Sequence, residues 1–248
     1  MQNQKTRIAL FSTAYILGVI PGLALIVVAT WADLESTFYG FNRLASTQLS
    51  GLSCPILMTR EETSSFSLKL TNTLERRASP TIRVDISTPN LPYSNTERFP
   101  LEPGETLRKN WEIGPENIDL NRFVFTQVVV YSMYPIPNRQ NGCGIFVVDL
   151  PGSGWGVTWI IVAVSVLGMG IGLYGLNHPQ SRSRGAEVPA LRPFVFLSIM
   201  IVIGIIASIM GWWFPGIMIL VVSVLLIFSI IGMLISRQMD KIDKEANE

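Results

Sequence analysis

Catalysis needs a nucleophile beside a base, a metal cluster, or a pair of working carboxylates, and this sequence offers few residues that could supply them. The only histidine, His178, follows an apolar run and precedes Pro179, a place where a solvated interfacial imidazole is expected. The closest acidic pairs, Glu61 with Glu62 and Glu102 with Glu105, fall in polar, turn-like segments and read as solvated turns. Gly168, Gly170 and Gly172 lie inside an apolar run rather than between a strand and a helix, so they do not read as a phosphate loop. Covalent chemistry is expected only between Cys54 and Cys143, the two cysteines of the chain. A disulfide is the economical reading in an oxidising compartment, and closing such a loop stabilises a domain by roughly 4 to 5 kcal/mol. Two buried free thiols are the alternative. No catalytic residue, metal ligand or cofactor is expected.

The elements that hold these residues follow from composition. Of 248 residues, 48% are hydrophobic and 15% charged, with a net charge of +1. That charge content is well below the quarter found in soluble domains, and a near-zero balance argues for neither nucleic acid nor an acidic substrate. Residues 8–31, 152–177 and 193–236 contain no Asp, Glu, Lys, Arg or His. A membrane crossing takes about 20 apolar residues, so the first two stretches each supply one helix and the third supplies two. The third is divided at Gly211-Trp212-Trp213-Phe214-Pro215-Gly216, where glycine permits a turn and Pro215 is expected to break the helix. The first stretch reads as an uncleaved anchor, because it is longer than a signal core and lacks a small-x-small cleavage site near Ala32.

Basic residues orient the crossings. Lys5 and Arg7, then Arg182, Arg184 and Arg192, then Arg237, Lys241 and Lys244 flank the apolar runs on one side. The positive-inside rule therefore places both termini and the 178–192 loop in the cytoplasm and the large intervening segment outside. The absence of any Asn-x-Ser/Thr acceptor favours a prokaryotic plasma membrane over a eukaryotic surface. The expected order is a tail and first helix over 1–31, a juxtamembrane segment over 32–53, and an outside β domain over 54–151. A second helix over 152–177, an inner loop over 178–192, helices over 193–212 and 213–236 and a cytoplasmic tail over 237–248 complete it.

Within the outside segment the apolar period changes to two. Phe66, Leu68 and Leu70 alternate with Ser67, Lys69 and Thr71, and Ile82, Val84 and Ile86 alternate with Arg83, Asp85 and Ser87, the pattern of half-buried strands. Residues 107–113, 123–131 and 143–150 supply further strands, and 54–58 a short edge strand. Five to seven short strands between turns predict an all-β antiparallel sandwich. The runs Leu70-Thr71-Asn72-Thr73, Thr81 to Ser87 and Leu101-Glu102-Pro103-Gly104-Glu105-Thr106 resemble immunoglobulin-like sandwich modules of the CARDB type. In those modules an asparagine ends one strand and an L-x-P-G-E-T turn opens a later one. The resemblance covers about 60–120 and implies a fold rather than a function.

Two features point to contacts. Phe123, Val124, Phe125 and Val128 to Tyr131 place apolar groups on both faces of one strand, which must therefore be covered twice: by a second sheet with a loop, by residues 32–53, or by another subunit. Phe123, Phe125 and Val129 are thus candidate partner contacts, and Tyr131 and Tyr134, in the aromatic stretch that runs on to Pro135, are further candidates because aromatic residues are enriched in interfaces. In the helices, Ala14, Gly18 and Gly22 are spaced by four, as are Gly168 and Gly172. Such ridges let backbones approach closely in lipid, within this bundle or against a partner.

The expected function is that of a non-catalytic accessory or assembly subunit, with other membrane protein subunits and the lipid bilayer as its surroundings and no small-molecule substrate. The alternative rests on topology: one helix, a large outside domain and three more helices resemble the FtsX and MacB plan of ABC-system transmission subunits.

Overall fold

The computed structural model describes residues 2–89, 91–131, 137–177 and 191–246. His178, Arg182, Arg184 and the rest of the expected inner loop up to residue 190 lie outside them, as does Tyr134. Four helices, α1 (Gln2–Phe38), α2 (Gly154–Asn177), α3 (Leu191–Ile209) and α4 (Trp213–Ala246), are long and apolar enough to cross a membrane. The chain divides into two compact units, one formed by residues 1–27, 160–207 and 214–248, the other by 28–159 and 208–213.

The helical unit is closely packed where the small residues lie. A methyl group on Gly168 would sit 2.8 Å from the Cα of Gly18 and 3.0 Å from the carbonyl oxygen of Ala14. One on Gly172 would sit 2.5 Å from Tyr15 Cβ, and one on Gly22 would sit 2.4 Å from Ser165 Oγ. The two ridges thus face each other across the α1–α2 contact. Tyr15 then reaches α3, donating a 2.8 Å hydrogen bond to the Phe194 carbonyl and meeting that ring edge-on at 5.5 Å. α1 is unbroken through Pro21.

The helix ends differ from the apolar runs. α1 continues to Phe38, seven residues into the expected juxtamembrane segment, because Trp31 to Phe38 lacks proline and glycine and is tied by a Trp31–Glu35 hydrogen bond of 2.9 Å. The turn between α3 and α4 falls at residues 210–212, with Gly211 at φ +68°. Pro215 lies in the first turn of α4 rather than ending a helix, since a missing N–H costs nothing there. α4 runs on to Ala246, so most of the expected tail is helical.

The second unit holds the strands: β1 (Thr47–Gln48), β2 (Leu52–Ser53), β3 (Leu57–Thr59), β4 (Ser64–Thr71), β5 (Thr81–Ile86), β6 (Tyr93–Arg98), β7 (Thr106–Ile113), β8 (Phe123–Tyr131) and β9 (Arg139–Val148). They make a six-stranded sheet in the order β1-β9-β8-β5-β6, with β3 also on β9, and a three-stranded sheet in the order β2-β4-β7. The expected antiparallel pairing requires a correction. β1 and β3 both pair with β9 in parallel, Thr47 opposite Arg139 and Leu57 opposite Phe146, because the chain leaving α1 runs alongside β9 in its direction. The remaining ladders are antiparallel.

Alternation does what the sequence implies. Phe66 and Leu68 of β4, Ile82, Val84 and Ile86 of β5, Val124 and Val128 of β8 and Ile145 of β9 bury in one cluster drawn from both sheets. At roughly 2 kcal/mol per fully buried large apolar side chain, this cluster is the main source of the unit's cohesion. Beyond the expected strands lies β6, whose Tyr93-Ser94-Asn95-Thr96-Glu97-Arg98 sequence carries no apolar face because it is an exposed edge.

Two of the CARDB-like runs, at Asn72 and at Leu101 to Glu105, meet at one turn. Asn72 Nδ2 donates to the carbonyls of Leu101 (3.0 Å), Glu102 (3.1 Å) and Arg76 (3.0 Å). Its backbone N–H donates to Glu105 and its carbonyl accepts from Gly104, each at 2.9 Å. One buried amide thereby satisfies backbone groups that the two turns leave open.

Candidate functional site

The doubly apolar β8 strand finds its second cover in its own chain. Val124, Val128 and Val130 face the shared core, while Phe123 and Phe125 form a separate cluster with Ala32, flanked by Tyr39, Phe41 and Phe146. Trp31 meets Phe123 at 5.4 Å between ring centroids and Tyr39 meets Phe125 at 4.5 Å. The approach is closest at Gly144, where a methyl group would lie 1.9 Å from the Ala32 carbonyl oxygen, and where the Gly144 N–H donates to Asp33 Oδ1 at 3.1 Å. Phe123, Phe125 and Val129 are therefore buried rather than presented to a partner, and Tyr131 is half-buried at the strand end. The physical reason for Phe123 and Phe125 is the extra length of α1 together with the residues just after it, which lay 31–41 over these two rings.

Tyr39 seals the edge of that cover by donating a 2.5 Å hydrogen bond to Asp119 Oδ2. Burial raises the phenol's pKa above its ordinary 10.0, and the adjacent Asp119 carboxylate raises it further.

Several acidic groups of the second unit have structural partners. Glu62 Oε2 accepts from the backbone N–H groups of Thr59 (3.0 Å) and Gly154 (2.7 Å), so it caps the start of α2, where a carboxylate is favoured by the helix dipole. Glu105 Oε2 accepts from the Glu102 N–H at 2.7 Å, closing the turn between them. Asp85, buried on β5, is held by Arg83 Nε at 3.0 Å and by the Ser94 hydroxyl. Asp149 pairs with Arg60 at the surface, a hydrogen bond that holds its carboxyl below the usual range. Among the described residues, no three of His, Cys, Asp and Glu cluster as metal ligands would.

Cys54 and Cys143, 89 residues apart, have their sulfurs within bonding distance and their Cα atoms 6.6 Å apart. The bridge ties the chain between β2 and β3 to β9. Cys54 is partly exposed and Cys143 is 8% exposed. Both line a cavity of about 320 Å³ with Asp33, Asn141 and Trp212 on its wall. The hydroxyl of Thr126, fully buried on β8, lies 3.0 Å from Cys143 Sγ and 4.0 Å from Cys54 Sγ. Sequence reading missed Asp33 and Thr126. Asp33 was hidden by the assumption that α1 ends at Trp31, and Thr126 carries no signal in a strand of apolar neighbours.

Leu91 and Tyr93 are exposed, 79% and 54%, at the head of edge strand β6, and Phe38, Leu120 and Leu150 are exposed elsewhere on the strand-bearing unit.

No family model matches the chain, and no curated protein does. Among solved structures it is similar to the CARDB domain of a Pyrococcus furiosus protein determined with di-metal ions, at 13% identity and a TM-score of 0.33, over 44% of this chain and 98% of that one. It is also similar to a β-glucuronidase of Bacteroides uniformis (18% identity, TM-score 0.31, 39% of this chain) and a β-glucosidase of Listeria innocua (14%, 0.30, 44%). The chain spans only 13% and 17% of those two enzymes.

Proposed function

We propose that this protein is a non-catalytic accessory subunit of a membrane protein complex, whose immunoglobulin-like β domain is a protein-binding platform outside a prokaryotic plasma membrane. The observation that carries the reading is the edge at β6, which has no further strand beside it among the described residues and opens with exposed Leu91 and Tyr93. A free edge offers unpaired backbone groups to an extended segment of a partner, and neighbouring apolar side chains supply pockets and area for it. The structural duties of Glu62, Asp85, Asp149 and the Glu102/Glu105 turn support a scaffold rather than an active centre.

Orientation follows the tryptophans. All six belong to the strand-bearing unit, and Trp31, Trp155, Trp159, Trp212 and Trp213 lie at or near the helix ends that adjoin it. Tryptophan favours the headgroup level, so these ends mark the outer interface, with the basic residues at the opposite ends marking the cytoplasmic one.

Gentle extraction from native membranes followed by native mass measurement tests the reading. The chain is expected to leave the membrane with a second subunit bound, and Leu91→Asp with Tyr93→Asp is expected to release it without shifting thermal unfolding. A bare monomer from the parent chain, or a complex indifferent to both substitutions, overturns it.

A further inference from the structure

We propose that the Cys54–Cys143 bridge is an exchange site for low-molecular-weight thiols, opened by attack on the Cys54 sulfur. Three observations on the second unit meet here. The bridge lines an open cavity of about 320 Å³, so a small thiol has a route to it. Access is unequal, since Cys54 is partly exposed whereas Cys143 is almost fully buried on β9. The environment of the two sulfurs is unequal in the same sense, because the buried Thr126 hydroxyl is within hydrogen-bond reach of Cys143 and a full ångström farther from Cys54.

Exchange proceeds by a thiolate attacking one sulfur while the other departs as thiolate, and it speeds up as the leaving thiolate is stabilised. In this site the incoming thiolate bonds to Cys54 Sγ, the bond between the sulfurs breaks, and its electron pair goes to Cys143 Sγ. The Thr126 O–H donates to that new thiolate. The product is a mixed disulfide at Cys54 and a free Cys143, with no net oxidation. The reverse attack by Cys143 on Cys54 releases the small thiol and restores the bridge. Asp33 lies on the cavity wall with Oδ1 engaged by the Gly144 N–H, and its negative charge opposes the approach of an anionic thiolate.

The test uses the full chain in lipid nanodiscs with reduced glutathione at millimolar concentration, acid quenching, alkylation with N-ethylmaleimide, and peptide mass analysis. Glutathione is expected on Cys54 and the maleimide on Cys143. Thr126→Val, which keeps the shape and removes the donor, is expected to slow adduct formation at least tenfold, with Thr126→Ser restoring it. Asp33→Asn, which keeps the acceptor for Gly144, is expected to accelerate it several-fold. General loosening of the fold would make Thr126→Val faster, the opposite direction, so thermal unfolding of each variant separates the two effects. A bridge that opens only in denaturant, glutathione found on Cys143, or an unchanged rate in Thr126→Val overturns the proposal.

Discussion

Replacing Gly144 by alanine tests whether the end of α1 is held on the strand-bearing unit by backbone contact. The added methyl would stand 1.9 Å from the Ala32 carbonyl oxygen, 2.2 Å from its carbon and 2.9 Å from the Asp33 nitrogen. Ordinary contact begins near 3.4 Å, so one backbone must retreat by about 1.5 Å. No side-chain rotation can relieve the clash. If the helix end stays docked, the strain falls at the upper end of the overpacking range, about 3 kcal/mol. If it lifts away, Phe123 and Phe125 lose their cover, and re-exposing two buried aromatic rings costs roughly 3 to 6 kcal/mol. The cheaper route sets the penalty, so about 3 kcal/mol is expected, or a fall of roughly 10 °C in Tm for a unit of this size. Thermal unfolding of the full chain in detergent, followed by tryptophan fluorescence, reads it directly through Trp31 beside Phe123. Gly104→Ala is the comparison: its φ is +76° but open space surrounds it, so only the left-handed backbone cost of about 1 kcal/mol applies. A Tm for Gly144→Ala equal to or above that of Gly104→Ala refutes the docking.

Asn72→Ala leaves three carbonyls without their shared donor and is expected to cost about 2 to 3 kcal/mol, read as a lower midpoint in denaturant with an unchanged slope. Gly168→Ile places its Cβ 2.8 Å from the Gly18 Cα and is expected to part α1 from α2, read as a lower thermal midpoint than that of Gly170→Ile, where an added Cβ meets nothing within 4 Å; equal midpoints contradict the close α1–α2 packing. For Tyr39, the folded-state pKa lies above the unfolded value of 10.0. The folded chain therefore holds the phenolic proton more tightly, and its stability contribution is complete below pH 10 and is lost as pH rises above it. Tyr39→Phe is expected to flatten this alkaline loss while lowering stability at pH 7 by roughly 1 to 2 kcal/mol; a parent chain with constant Tm from pH 8 to 11 contradicts the assignment.

Much of the strand pattern was legible because one face of each inner strand is apolar and the other polar. β4 and β5 fall within two residues of the alternation that predicted them, and β7 within one residue of the expected 107–113. β6 was not legible, since an edge strand with both faces wet has no period to detect. β1 and β2 were hidden for another reason: two-residue strands are defined by their partners, not by their own side chains. At β8 the residues announced two covered faces but could not say by what. Phe123 and Phe125 looked like a contact surface for another protein only because the reach of α1 past Trp31 was unknown.

Composition and period alone determined four apolar helices, a strand-rich insert between the first and second, and a pair of cysteines at the borders of that insert. These are properties of local sequence, because lipid demands uninterrupted apolar length and a half-buried sheet demands alternation. Tertiary structure alone decided that Ala14 and Gly18 meet Gly168, that Gly172 meets Tyr15 and Gly22 meets Ser165, that residues 31–41 cover β8, and that Thr126 stands an ångström nearer to one sulfur of the bridge than to the other. Those outcomes depend on which distant backbones come within a few ångströms, and no single stretch of sequence carries that distance.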